Sequence, residues 1–88
     1  MSFVLQKVQE ILSYQFSLNE TEIQPETKLK LELGADSSDL LEIMATFEIT
    51  FNIEIGYEDV NDIETVQDII TYIENKKDAQ DELYKNLF

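Results

Sequence analysis

Apolar residues recur at three- and four-residue steps in three separate stretches of this chain. That spacing lines one face of an α-helix and points to a helical core. In the first stretch, Phe3–Phe16, the face is Val4, Leu5, Val8, Ile11 and Leu12, with Gln6, Lys7, Gln9 and Glu10 between them. Ser2 stands where an N-cap belongs. The second stretch runs over Ser37–Phe51, with Leu40, Leu41, Met44, Phe47 and Phe51 as its stripe. Gly34-Ala35-Asp36 opens it, and the Asp36 carboxylate suits the cap because it can accept a first-turn amide. The third stretch, residues 66–75, turns Val66, Ile69, Ile70 and Ile73 inward. Thr65 caps it and Asp68 takes the capping-box position, although Asp reaches back less well than Glu.

Two five-residue segments, Leu29-Lys30-Leu31-Glu32-Leu33 and Phe51-Asn52-Ile53-Glu54-Ile55, alternate as strands do. Two short isolated strands are marginal without further sheet. The leucines are therefore expected to pin the long connection 18–34, which holds the only proline, Pro25, onto the helices. After Gly56, residues 57–61 have room for one short helical turn. Residues 76–88 are a polar joint followed by Leu83, Tyr84, Leu87 and Phe88, which either extends the last helix or forms a tail. The expected architecture is all-α: three main helices plus a short one, with a long first loop, in a bundle.

Leu, Ile, Val and Phe make up 29 of 88 residues. That is above the roughly one-fifth level at which high charge means disorder, and the length fits one domain. Six basic and 19 acidic residues give a net charge of −13. Such a surface repels nucleic acid and anionic membrane, and it favours basic protein partners. No apolar run approaches the roughly 20 residues of a membrane span, and the first residues carry no secretory pattern. A cytoplasmic monomer is expected.

Self-contained catalysis is not expected. The chain has no histidine to act as a base near neutral pH and no cysteine nucleophile. Its two glycines stand alone, so there is no phosphate-cradling loop. Alternating oxygen ligands from Asp36 or Asp59 fail the calcium-loop spacing, and no metal site is expected. What remains is Ser37, a hydroxyl at the first position of a helix, where backbone amides and the macrodipole favour an anion. On its own, an Asp-Ser pair there carries almost no signal, and its ordinary reading is a cap followed by a small polar residue.

The surrounding residues carry more. Leu33-Gly34-Ala35-Asp36-Ser37-Ser38-Asp39-Leu40-Leu41-Glu42 resembles the attachment motif of acyl carrier proteins. So, in order and spacing, do Val8-Gln9-Glu10-Ile11-Leu12, Phe51-Asn52-Ile53-Glu54-Ile55, Glu58-Asp59-Val60 and Thr65-Val66-Gln67-Asp68-Ile69-Ile70-Thr71-Tyr72-Ile73. The resemblance implies a four-helix bundle with a short third helix. It assigns residues 1–75 to the carrier domain and 76–88 to an extension. It also implies 4′-phosphopantetheine on Ser37, transferred from coenzyme A by a phosphopantetheinyl transferase, with Asp36 as the cap beside it. The arm's thiol would then carry acyl groups as thioesters between acyl-transferring and condensing enzymes. Their basic patches would dock on Asp39, Glu42, Glu48, Glu54 and Glu58, with Asp36 and Asp59 nearby. Phe3, Leu5, Phe47, Phe51, Ile55, Ile63 and Tyr72 are either plain core or the lining of a space for the acyl chain.

Four features depart from that pattern. Ser38 replaces an exposed leucine, and Ile49 and Thr50 stand where acids are common. Gly56 replaces a proline, which should loosen the third helix. Lys28 and Lys30 bring positive charge to an acidic region. These departures suggest a specialised carrier. They leave an aminoacyl cargo, or an unmodified acidic adaptor with the same fold, as alternatives.

Overall fold

A computed structural model describes residues 3–87, with side chains described for residues 3–81. The Ser2 cap and Phe88 lie outside the described residues. Helix α1 spans Phe3–Phe16, α2 Leu29–Leu33, α3 Ser37–Phe51 and α4 Val66–Leu87, with 3-10 turns at Glu20–Glu22 and Glu58–Asp62. Among the described residues there is no strand, only an isolated bridge between Lys28 and Thr65.

The core is the set of helical stripes turned toward one another. Val4, Val8 and Leu12 of α1 are buried at four-residue steps, and α1 packs on both α3 and α4. From α4 come Val66, Ile69, Ile70 and Ile73. The α3 stripe differs from expectation by one step: Ile43 is fully buried, whereas Leu41 is 40% exposed. At one end Phe51 bridges Phe3 and Phe47, with ring centroids 6.5 and 6.4 Å away.

The long connection is held by the first turn of α4, whose amides have no acceptor inside their own helix. Val66 N–H donates to Thr27 O at 3.0 Å and Gln67 N–H to Pro25 O at 2.7 Å, while Leu29 N–H donates to Glu64 O at 3.0 Å. Ile23 and Thr27 are buried beneath it. Asp68 does complete its capping box. Its Oδ2 accepts Thr65 N–H at 3.0 Å and Glu64 N–H at 2.9 Å, and its own N–H donates to Thr65 Oγ1 at 3.1 Å. Those backbone donors, Thr65 first, hold its carboxyl below the usual aspartate value.

Leu29–Leu33 is a helical turn, neither strand nor irregular loop. Glu32 Oε2 caps its start by accepting Lys28 N–H at 2.7 Å, and Gly34 closes it in the left-handed region, at φ 69°. Leu29 alone of its leucines is buried, and Leu31 is exposed. At the other end of the chain, the joint after Asn75 is no break, since α4 continues to Leu87. Gln80 Nε2 donates to Asn52 O at 2.9 Å, tying the continued helix to the left-handed end of α3. The side chains of Leu83, Tyr84 and Leu87 lie outside those described.

Candidate functional site

The start of α3 is built as a reciprocal cap. Asp36 Oδ1 accepts Asp39 N–H at 2.9 Å, and Asp39 Oδ2 accepts Asp36 N–H at 3.1 Å. Ala35, buried just before it, donates its N–H to Leu29 O at 3.1 Å and so moors the helix tip to α2. Ser37 is the first residue of the helix and is exposed, and its hydroxyl makes no hydrogen bond to a described residue. Of the first-turn amides, Asp36 occupies that of Asp39 and leaves those of Ser37 and Ser38 for an outside acceptor. Losing the Asp36 acceptor by Asp36→Ala should cost about 1 kcal/mol. At roughly 4–8 °C per kcal/mol for a domain of this size, calorimetry will read it as a lower melting temperature.

Beside Ser37 a hollow of about 200 Å³ lies between α3 and the 3-10 turn Glu58–Asp62. It is lined by Lys30, Ser37, Leu40, Leu41, Tyr57, Val60 and Asn61. A second hollow of about 160 Å³ shares Leu41, Tyr57 and Val60 and continues to Met44, Ala45, Glu48 and Ile55. The pair forms a cleft with Lys30, Ser37 and Asn61 at one end, Glu48 toward the other and mainly apolar side chains throughout.

Residues 3–73 of the chain match the family model for the phosphopantetheine attachment site. Over 74 residues, 84% of this chain and 95% of the relative, the sequence is 43% identical to an acyl carrier protein of Solidesulfovibrio magneticus. The chain belongs to the acyl carrier protein family. The solved structure of the Enterococcus faecalis acyl carrier protein, described for its high thermal stability, superposes with a TM-score of 0.73 at 36% identity. That match covers 83% of this chain and 92% of the other. The apo doublet acyl carrier protein from prodigiosin biosynthesis gives 0.72 at 25% identity, over 83% of this chain and 35% of the other. The carrier's cofactor is a covalently attached 4′-phosphopantetheine, on which it carries acyl groups in biosynthesis.

The residues present fit that group. An exposed, unbonded hydroxyl sits at a helix tip with spare amides, and it opens onto a mainly apolar cleft. The residues weighed as plain core or as the lining of an acyl space fall mostly outside this cleft. Phe47, Phe51 and Ile63 are buried core, Phe3 lies on the surface beside Phe51, and of the candidate lining residues only Ile55 reaches the cleft. Leu41, Met44, Tyr57 and Val60 were missed as lining. The exposed Leu41 and Tyr57 flanking a serine-led helix are the signal that could have found them.

Besides Asp39, two of the acidic residues singled out for docking are already engaged. Glu42 Oε2 accepts Gln15 Nε2 at 2.8 Å, and Glu48 Oε2 accepts Ile55 N–H at 3.0 Å. Glu54 and Glu58 are exposed. Among the described residues no group of acids is arranged to hold a metal.

Gly56 tightens the turn it was expected to loosen. Its N–H, which proline lacks, donates to Tyr72 Oη at 3.3 Å, and Tyr72 in turn donates to Asp59 Oδ2 at 2.6 Å. The turn that walls the cleft is thereby latched to α4. Burial first, then the bond to Asp59, pushes the Tyr72 hydroxyl above its ordinary value of 10.0. A raised folded-state value favours the neutral phenol, so this stabilisation is whole below about pH 10 and is lost as pH rises through the folded-state value. Alkaline unfolding of the wild type should therefore steepen above pH 10, whereas Tyr72→Phe should lack that component and start less stable by about 1 kcal/mol. Parallel curves for the two proteins across that range would show that the latch does not act.

Proposed function

We propose that Ser37 is the residue to which the arm is attached and that Asp36 holds the helix tip on which it sits. The observation that carries this reading is the exposed hydroxyl at the capped start of α3, at one end of the cleft. The phosphodiester would lie near the free amides of Ser37 and Ser38 and the positive end of the helix, which offset its charge. Activation of the hydroxyl is the transferase's task and requires no base from this chain. When bound, the arm supplies the thiol on which acyl groups are held as thioesters.

Each hollow falls below the roughly 300–1,000 Å³ of pockets that enclose a drug-sized ligand. In this form the cleft takes a short apolar segment, shielded by Leu41, Tyr57 and Val60. A longer chain would have to part the 3-10 turn from α3. Residues 1–75 form the carrier domain in this reading, and 76–88 an extension. The family match ending at residue 73 supports that division, with α4 running across it and Gln80 tying the extension to Asn52.

The carrier serves as substrate-bearing partner, with no chemistry of its own, for phosphopantetheinyl transferase and for acyl-transferring and condensing enzymes in the cytoplasm. It does so as a monomer. Asp39, Glu42 and Glu48 on α3, with Glu54 and Glu58 beyond it, would meet basic patches on those enzymes. The place of Glu48 in the cleft wall and the net charge of −13 support this. Incubation with coenzyme A and a transferase should raise the intact mass by about 340 Da. Fragmentation should place the gain on Ser37 and not on Ser38. No gain with several transferases, or a gain elsewhere in the chain, would sink the assignment.

A further inference from the structure

Lys30 is placed where a carrier of this charge has most use for a cation. It lines the same hollow of about 200 Å³ as Ser37. Lys7 pairs with Glu10 at 3.2 Å, and Lys76 lies over the Tyr72 ring at 5.5 Å. Lys30 forms no ion pair with any described residue, although the chain holds 19 acids.

Its backbone is fixed from both sides. Glu32 Oε2 accepts Lys28 N–H at 2.7 Å, and Leu29 is bonded to Glu64 O on one side while its own carbonyl takes Ala35 N–H on the other. The α2 turn therefore holds Lys30 next to the tip of α3. The charge demand at that tip is high. Asp36 and Asp39 are locked in their mutual cap and cannot turn away, and an anion on Ser37 would be the third negative group there. The helix end offsets only about half a charge. Lys30 supplies a whole one, and the Asn61 amide on the same wall adds a neutral donor. Lys30 and Asn61 also line the neighbouring hollow, with Asp62 and Glu64, whereas Lys28 lines that hollow and not the one of Ser37.

We infer that Lys30 is a positioning residue for the arm, its ammonium serving as counter-charge to the phosphodiester on Ser37 and holding it at the mouth of the cleft. The inference rests on Ser37 as the attachment residue. Its test uses the loaded full chain, with loading verified by intact mass, and reads the phosphorus-31 resonance of the phosphodiester as NaCl is raised. In the wild type the resonance should move with salt as the pair is screened. Lys30→Gln should displace it by more than its linewidth at low salt and flatten the salt response. Lys30→Arg, which keeps the charge, and Lys77→Gln, which removes a charge from a remote exposed site on α4, should both behave as wild type. Far-UV circular dichroism confirms that each variant is folded. A Lys30→Gln resonance that coincides with wild type throughout the titration would overturn the role of Lys30 and leave the attachment residue standing. A chain that gains no mass overturns the attachment reading and this one with it, before any phosphorus spectrum is taken.

Discussion

Ser37→Ala should abolish loading outright while leaving the fold untouched. The side chain is exposed and its hydroxyl bonds to no described residue, so its removal opens no cavity and strands no polar partner. Alanine is also the better helix former, and the change in stability should stay within about 0.5 kcal/mol. Ser38→Ala, one step along the same exposed turn, should load as the wild type does. The pair separates attachment from general damage to the helix tip. Mass spectrometry after incubation with coenzyme A and a transferase reads the outcome, and any arm remaining on the Ser37→Ala chain would refute it.

Phe47→Ala should have the largest effect on folding. Phe47 is wholly buried in the second half of α3, its ring tilted against that of Phe51 within a core drawn from α1, α3 and α4. Truncating a buried Phe costs about 3–5 kcal/mol, the transfer term plus that of the cavity left behind. A domain of this length has about 4–13 kcal/mol in total, so the variant forfeits about a quarter of its margin or more. Urea unfolding should show the midpoint falling accordingly, with the cooperative transition lost if the wild type lies at the low end. A loss under about 1 kcal/mol would mean that the core around Phe47 closes up more freely than its packing suggests.

The main helices were legible because their stripes repeat over three or four turns. Val4, Val8 and Leu12 on α1 and Val66, Ile69, Ile70 and Ile73 on α4 are buried as their spacing requires. Helix α2 was not legible. Five residues are too few for a period to show, and the turn depends on its ends: Glu32 reaching back to Lys28, and a left-handed Gly34. Gly34 read as the opening of the next helix when it closes the previous one. The swap of Leu41 for Ile43 has a similar origin. Both sit three or four residues from other apolar positions, and only the neighbouring turn decides which one faces it.

Of the site, Ser37 and Asp36 stood out through the motif around them. The cleft did not, because it is formed by residues from three segments: Lys30, then Leu41 and Met44, then Tyr57 and Val60. Nor could the sequence show that Gly56 contributes an amide to Tyr72. A glycine replacing a proline signals freedom until its hydrogen-bond partner is seen.

The tethered carboxylates bear on how fast enzymes can find this carrier. Asp39, Glu42 and Glu48 each spend one oxygen on an internal donor, and a carboxylate keeps further lone pairs to offer. An incoming guanidinium thus meets anions whose torsions are already set, and little rotational freedom is left to surrender on contact. On the docking reading proposed above, such preset anions let a larger share of encounters become contacts.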